Sequence, residues 1–201
     1  MPNASNQMKT GGIILAGGHS SRYGKDKCTL SLGGRSLIEI VSQILKAVCA
    51  DVFVVSKGQN YSLAGVHSVF DDDQRQTPLA GILKGIKESG FDNNIIVACD
   101  MPFLNPDCLR VLIDNAAGYE SVIPVINGRP EPLHGIYSTE ALAVLEKMDI
   151  ENVKIRDFLR KINTLYLSEE YFIEQDPELL SFFNINTEDD YEKALKLEQG
   201  S

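Results

Sequence analysis

The sequence predicts an α/β protein of three layers, with a mostly parallel central sheet, helices on both faces and a small antiparallel excursion. Three observations carry this expectation. Short apolar runs of strand length alternate with amphipathic segments of helical period over the first 118 residues. Strands alternating in this way need crossover connections, which make neighbours parallel and place helices on both sheet faces. After residue 119 the alternation gives way to extended segments bearing proline and glycine.

GGIILA (11–16) reads as a buried strand. Ser36 caps the next helix, with Glu39 placed for a capping box and apolar residues at Leu37, Ile40, Val41, Ile44, Leu45 and Val48. DVFVVS (51–56) and VHSVF (66–70) are strands, the latter ending in Asp71-Asp72-Asp73. TPLAGILKGIKESG is a helix with Pro78 near its start and Gly90 at its end. NNIIVACD (93–100) is a strand, and NPDCLRVLIDNA a helix with proline in its first turn. YESVIPVI and NGRPEPLHGIY read as the antiparallel excursion, and 139–161 as a helical region. FFNINTEDDYEKALKL reads as a strand followed by a helix capped by Thr187, with Asp190 at the box position. One domain is expected over 11–198, after a polar, disordered lead-in over 1–10.

Composition limits the function classes. Of 201 residues, 43% are hydrophobic and 23% charged, ordinary values for a globular protein. No apolar run reaches the length of a membrane span, and the N-terminus lacks the apolar stretch of a secretory signal. A cytoplasmic setting without membrane association is therefore expected. A formal net charge of -9 argues against nucleic acid as a partner, because duplex binding needs a basic face. The cations Arg22, Lys25 and Lys27 stand out against that acidity. Cys28, Cys49, Cys99 and Cys108 form no C-x-x-C pair, so zinc has little support and reduced thiols are expected, with Cys49 and Cys99 filling the core. The three histidines are dispersed and give no paired metal motif.

Three features carry chemistry. The stretch GGIILAGGHSSRYGKDKCTL leaves a buried strand through glycines and basic residues. Glycine lets the backbone approach an anion, successive free N–H groups form an anion-binding nest, and Arg22 and Lys27 can add full charges to phosphate oxygens. Neither a Walker loop nor G-x-G-x-x-G is present. Asp100 follows an apolar strand at the same expected sheet edge, where a carboxylate can hold Mg²⁺ beside substrate phosphates. Asp71-Asp72-Asp73 ends another strand there, where one carboxylate can accept hydrogen bonds from a nucleoside. Taken singly, each also has a structural reading: a tight turn, a turn-opening or helix-capping aspartate, and a solvated acidic turn.

Taken together the residues resemble a known family. LAGGHSSRYGKDK closely resembles the signature L-A-G-G-x-S-x-R-M-G-x-D-K of the molybdenum cofactor guanylyltransferases, the molybdopterin-guanine dinucleotide biosynthesis protein A family. DDDQRQTPLAGI, VACDMPFL, NGRPEPLHGIYS and NINTEDDY are similar to four further motifs of that family, in the same order, so the likeness runs from residue 15 to about 191. It implies a Rossmann-like nucleotidyltransferase fold of the glycosyltransferase-A type. Position by position, it implies that the backbone of Leu15, Ala16, Gly17 and Gly18 binds GTP and that Arg22 and Lys27 neutralise its phosphates. Asp71 would contact the nucleoside, and Asp100 would bind Mg²⁺ beside the α-phosphate. Lys27, Arg22 and Asp100 are thus the implied catalytic set. Asn184 and Asn186 would face the acceptor half, Asn186 assisting near the metal, and Arg129, Pro132 and Leu133 would shape a molybdopterin pocket.

The implied reaction transfers GMP from GTP to (molybdenum-)molybdopterin and releases pyrophosphate. The attacking phosphate is already anionic at neutral pH, so catalysis would rest on positioning and charge stabilisation. Implied partners are the two small-molecule substrates and, transiently, other proteins of molybdenum cofactor biosynthesis, with the chain a monomer or weak oligomer. Several positions depart from the family pattern: Tyr23 replaces Met or Phe, Thr77 replaces glycine, Glu188 replaces proline, and Ser56-Lys57-Gly58 lacks an expected asparagine. A related nucleotidyltransferase that uses CTP, with molybdopterin or a sugar or polyol phosphate as acceptor, and a non-catalytic nucleotide-binding module remain alternatives. An NAD-dependent dehydrogenase is disfavoured by the missing G-x-G-x-x-G.

Overall fold

The computed structural model describes residues 9–16, 26–73, 75 and 77–200. The expected lead-in lies outside these residues except for Lys9 and Thr10, and Thr10 already belongs to the first strand. β1 (Thr10–Ala16) is buried along its whole length, with Ile13 and Leu15 facing one helical layer and Ile14 and Ala16 the other. A strand covered on both sides must be apolar throughout, which is why this run shows no polar alternation.

A single 3-10 turn (Lys27–Thr29) leads to a small hairpin, β2 (Ser31–Leu32) and β3 (Arg35–Ser36). α1 (Leu37–Lys46) starts at Ser36, whose N–H and hydroxyl both donate to the Glu39 carboxylate, at 2.7 and 2.6 Å. β4 (Asp51–Ser56) and β5 (His67–Phe70) follow. α2 (Pro78–Ser89) is capped by Thr77, carries proline in its first turn, and ends at Gly90 in the left-handed conformation, φ 69°. β6 (Asn93–Ala98) leads to α3 (Pro106–Asp114), capped by the Asn105 side chain, which accepts from the Asp107 N–H at 2.8 Å. The remainder comprises β7 (Ser121–Ile126), β8 (Arg129–Pro130), β9 (His134–Ser138), α4 (Leu142–Leu145), α5 (Ile155–Leu159), β10 (Thr164–Ser168) and α6 (Glu188–Gln199).

The main sheet runs β10-β7-β9-β6-β1-β4-β5, with β8 paired to β7. β6, β1, β4 and β5 are mutually parallel, as are β7 and β10. β9 is antiparallel to both β6 and β7, and this reversed strand is the expected excursion. One face buries α1 and α3 residues together with Phe172 and Phe182; the other buries α2, α4 and α5 residues such as Ile82, Leu145 and Phe158. A third cluster docks α6 through Ala194 against Leu32, Leu37, Ile40 and Ile185. Each fully buried aliphatic side chain contributes about 1.5–3 kcal/mol. Among the described residues, no helix is long and apolar enough to cross a membrane.

Three expectations are corrected, and one strand is new. The fourth strand stops at Ala98, and Cys99 and Asp100 lie in a turn, where the Cys99 N–H still bonds the Leu15 carbonyl at 3.3 Å. The region 139–161 is a 3-10 turn and two short helices. Between them, Asn152 bonds back to Asp149 through its backbone at 3.1 Å and its side chain at 2.8 Å, a local alternative to helix. FFNIN forms no strand: its apolar residues Phe182 and Ile185 are buried, and a 2.9 Å bond from the Ile185 N–H to the Asp100 carbonyl ties it down. β10 was not anticipated, since only Leu165 and Leu167 mark its inner face.

α2 lies so close to β1 that a Cβ on Gly85 would sit 2.6 Å from Ile13 Cγ2. Gly85→Ala is therefore expected to cost about 1–3 kcal/mol despite its better helix propensity. A denaturant midpoint unchanged or raised in this variant would show that the helix shifts outward freely.

Candidate active site

The parallel strands β6, β1, β4 and β5 deliver their C-terminal ends to one sheet edge. The register pairs Leu15 with Ala98, Ala16 with Ser56 and Ser56 with Phe70. Asp100 thus lies two residues beyond the end of β6, and Asp71 one residue beyond β5. Three strand spacings separate β6 from β5, about 14 Å. An extended nucleoside triphosphate can lie along such an edge.

At one end, three distant parts of the chain meet. The Lys27 ammonium lies 3.3 Å from Asp100 Oδ2 and donates to Asn186 Oδ1 at 3.2 Å. Lys27 is held by the turn that follows Asp26, whose carboxylate accepts from the Cys28 N–H at 3.0 Å and from the Tyr61 hydroxyl. Asn186 is held by the start of α6, where Asp190 Oδ2 accepts from the Asn186 and Thr187 N–H groups at 3.1 and 2.9 Å. The bond from Ile185 to the Asp100 carbonyl brings that segment onto the turn. Behind it, His134 is fully buried and stacks on Phe182 at 4.4 Å; burial pulls its pKa down to about 3, so it is a neutral packing group. Burial raises the Asp100 pKa, and the charge and hydrogen bond of Lys27 only partly oppose it.

At the other end, Asp71 is buried, and its Oδ1 accepts from the Asp73 N–H at 3.1 Å. Lys57 stands 3.8 Å from its Oδ2 and also donates to the carbonyls of Asp73, at 3.0 Å, and Arg75. Arg75 forks onto the Asp73 carboxylate, and those hydrogen bonds hold the Asp73 pKa down at about 2. Lys57, which stands near the expected asparagine, pins the loop that carries Asp71.

The remaining candidates fall differently. Leu15 and Ala16 end β1 with buried side chains, so their backbone is what they can offer a ligand. Gly17, Gly18 and Arg22 lie outside the described residues. Asn184 turns its amide onto the Phe182 carbonyl at 3.0 Å and does not join the Lys27 cluster. The Leu133 carbonyl accepts from the Ala98 N–H at 3.2 Å, and the Pro132 carbonyl from the Tyr137 hydroxyl at 2.7 Å, so that segment lines the end of β6. Arg129 is exposed on β8, and among the described residues no hydrogen bond or ion pair joins it to the cluster.

Sequence reasoning missed Asp26, Tyr61 and the bracing role of Lys57. It also took all four cysteines as free thiols. Cys28 and Cys99 are instead joined as a disulfide, while Cys49 and Cys108 are free. The pairing spans 71 residues and depends on the β1–β6 ladder, which no local pattern displays.

The donor set suits a hard divalent cation. Two oxygens, from Asp100 and Asn186, already converge on one positive charge, the Lys27 ammonium. Among the described residues no group of three or more His, Cys, Asp or Glu side chains surrounds a point, so substrate and water oxygens would complete the coordination. That is the usual arrangement for Mg²⁺.

Residues 12–165 match the family described as the MobA-like NTP transferase domain. A "Probable molybdenum cofactor guanylyltransferase" of Natranaerobius thermophilus is 34% identical over 192 residues, covering 92% of this chain and 94% of that protein. A "Molybdenum cofactor guanylyltransferase" of Desulfosudis oleivorans is likewise 34% identical over 192 residues, covering 91% and 93%. The crystal structure of molybdopterin-guanine dinucleotide biosynthesis protein A from Archaeoglobus fulgidus superposes with a TM-score of 0.80 at 28% identity, covering 95% of this chain and all of that one.

Because the protonated form of Asp100 is favoured by burial, its folded pKa lies above the unfolded value of about 3.9. The stability this contributes is fully present below the unfolded value and is lost as pH rises through the folded one. A carbon-detected NMR titration should place Asp100 above an ordinary aspartate, and Lys27→Met should raise it further, since burial stays while the ammonium goes. An Asp100 that titrates at or below the ordinary value would contradict this.

Proposed function

The chain belongs to the MobA-like nucleotidyltransferases, the molybdenum cofactor guanylyltransferase family, and we propose that it transfers GMP from GTP to (molybdenum-)molybdopterin. An oxygen of the molybdopterin phosphate attacks the α-phosphorus of GTP, the bond from that phosphorus to the bridging oxygen breaks, and pyrophosphate leaves. Guanylylated cofactor and pyrophosphate are the products. The observation that carries this reading is the convergence of Lys27, Asp100 and Asn186, each from a different family motif, on one point at the sheet edge.

The difficulty of the reaction is repulsion between two phosphate anions. In the free protein Lys27 is held by Asp100 and Asn186. With substrate present, Lys27 turns its ammonium to the phosphate oxygens and stabilises charge gathering on pyrophosphate. Asp100 and Asn186 are then free to hold a divalent cation, which we assign as Mg²⁺. Bound there, it would supply Lewis-acid stabilisation of charge on the α-phosphate. Asp71, braced by Lys57, accepts hydrogen bonds from the nucleoside. The backbone at Leu15 and Ala16, continuing to Gly17 and Gly18, cradles the phosphates, and Arg22 adds a second positive charge. The segment of Pro132 and Leu133, beside β6, forms the acceptor side with Asn186; Arg129 and Asn184 are more distant members.

Lys27→Ala and Asp100→Ala are each expected to lower kcat/KM by about 10³-fold or more while leaving far-ultraviolet circular dichroism unchanged. Pyrophosphate release with molybdopterin as acceptor should be faster with GTP than with CTP. Near-normal turnover in either variant would remove its residue from the mechanism, and a preference for CTP would replace the guanylyl reading.

A further inference from the structure

Cys28 directly follows Lys27, and Cys99 directly precedes Asp100. Their disulfide therefore spans the site one residue behind the ion pair. Their Cα atoms are 5.7 Å apart, within the range that a disulfide bridges without backbone movement. Both sulfurs are buried among Ile14, Tyr61, Met101 and other residues of the α1-side core. Among the described residues, the Cys28 N–H bonds Asp26, the Cys99 N–H the Leu15 carbonyl at 3.3 Å, the Ile185 N–H the Asp100 carbonyl at 2.9 Å and Lys27 the Asn186 amide oxygen at 3.2 Å, and the hydrogen bond that joins the two segments directly is the Lys27–Asp100 pair itself.

That last tie cannot survive catalysis. Once Lys27 turns to phosphate and Asp100 to a cation, their mutual attraction is gone, yet their backbones must keep the same separation for both to reach one substrate. A covalent link immediately behind them does this. We propose that Cys28 and Cys99 are positioning residues for the transfer reaction, their disulfide holding Lys27 opposite Asp100, and that a dithiol reductant reversibly releases that hold. The proposal rests on the reading of Lys27 and Asp100 given above.

The redox step balances. One thiolate of the dithiol attacks a cystine sulfur, giving a mixed disulfide and one cysteine thiolate. The second thiol of the reagent then displaces the other cysteine. Two electrons pass from the reagent sulfurs to the protein sulfurs, leaving two cysteine thiols and an oxidised, cyclic reagent.

The full chain, purified without reductant and denatured in guanidinium, should show two thiols by Ellman titration, those of Cys49 and Cys108, and four after treatment with dithiothreitol. Reduction of the folded enzyme should speed amide exchange in 26–31 and 98–101 and lower kcat/KM for GTP about tenfold. Removing the dithiol and adding oxidised glutathione, which takes up the two electrons and two protons as two glutathione thiols, should restore both. The double variant Cys28→Ala, Cys99→Ala should match the reduced enzyme and ignore dithiothreitol; if it does not fold, reduction of the unaltered chain decides alone. Four thiols before reduction would overturn the proposal. So would unchanged kcat/KM after reduction, even with a lowered Tm, because that is the signature of a cross-link that only stabilises. If neither redox form turns over GTP, the guanylyltransferase reading fails separately. Amide exchange then judges the link by itself: faster exchange in the two segments supports it, and unchanged exchange overturns it.

Discussion

A single ammonium group joins the parts of this molecule that must act together. Lys27 follows the first strand, Asp100 the fourth strand in the parallel run, and Asn186 precedes the last helix, yet all three meet within hydrogen-bonding reach. The attraction in such a pair is about 4 kcal/mol at 4 Å for an effective dielectric of 20, before desolvation is subtracted. Half-burial makes the carboxylate costly to ionise alone, as its raised pKa records. The ammonium offsets part of that cost. The parallel ladder between β1 and β6 makes the meeting possible, because it fixes where both chain segments leave the sheet.

The same edge solves a problem of overall charge. A chain of net charge -9 must accept a triphosphate and then a second phosphate ester. It does so by segregating charge along the edge. Lys57 stands beside Asp71, and Arg75 pairs with Asp73. Among the described residues, Lys27 is the cation beside Asp100 at the end of β6. Lys57 and Lys27 are the same residue type with different partners. Lys57 donates to backbone carbonyls, whereas Lys27 donates to a carboxylate and a side-chain amide oxygen, groups of the kind that also ligate hard cations.

Much of this was legible in the sequence, and the exceptions have physical causes. β1, β4, β6 and the first three helices announce themselves by unbroken apolar runs, by Ser36 with Glu39, and by proline at the start of α2 and α3, all local signals. That Lys27 and Asp100 belong to one neighbourhood was readable from motif order, and the structure places them 3.3 Å apart. The misses share one property, dependence on distant partners. FFNIN has the apolar content of a strand but no ladder to join. Asn184 and Asn186 look equivalent in sequence, yet one closes a local turn and the other reaches Lys27. Asp26 and Tyr61 meet across 35 residues, and Cys28 and Cys99 across 71.

The ion pair also constrains how the site can fill. A cation arriving alone at Asp100 and Asn186 would displace Lys27 and leave its ammonium beside a like charge. A triphosphate arriving alone would draw Lys27 away and leave the half-buried Asp100 carboxylate facing phosphate. Either half-step creates an uncompensated charge where solvent screens poorly. Lys27 and Asp100 can part cheaply only if each meets its new counter-charge at the same time, as a nucleotide that carries its cation provides. On the roles proposed for Lys27 and Asp100, the resting pair is then a closed form of the site that favours the metal–nucleotide complex over either component alone.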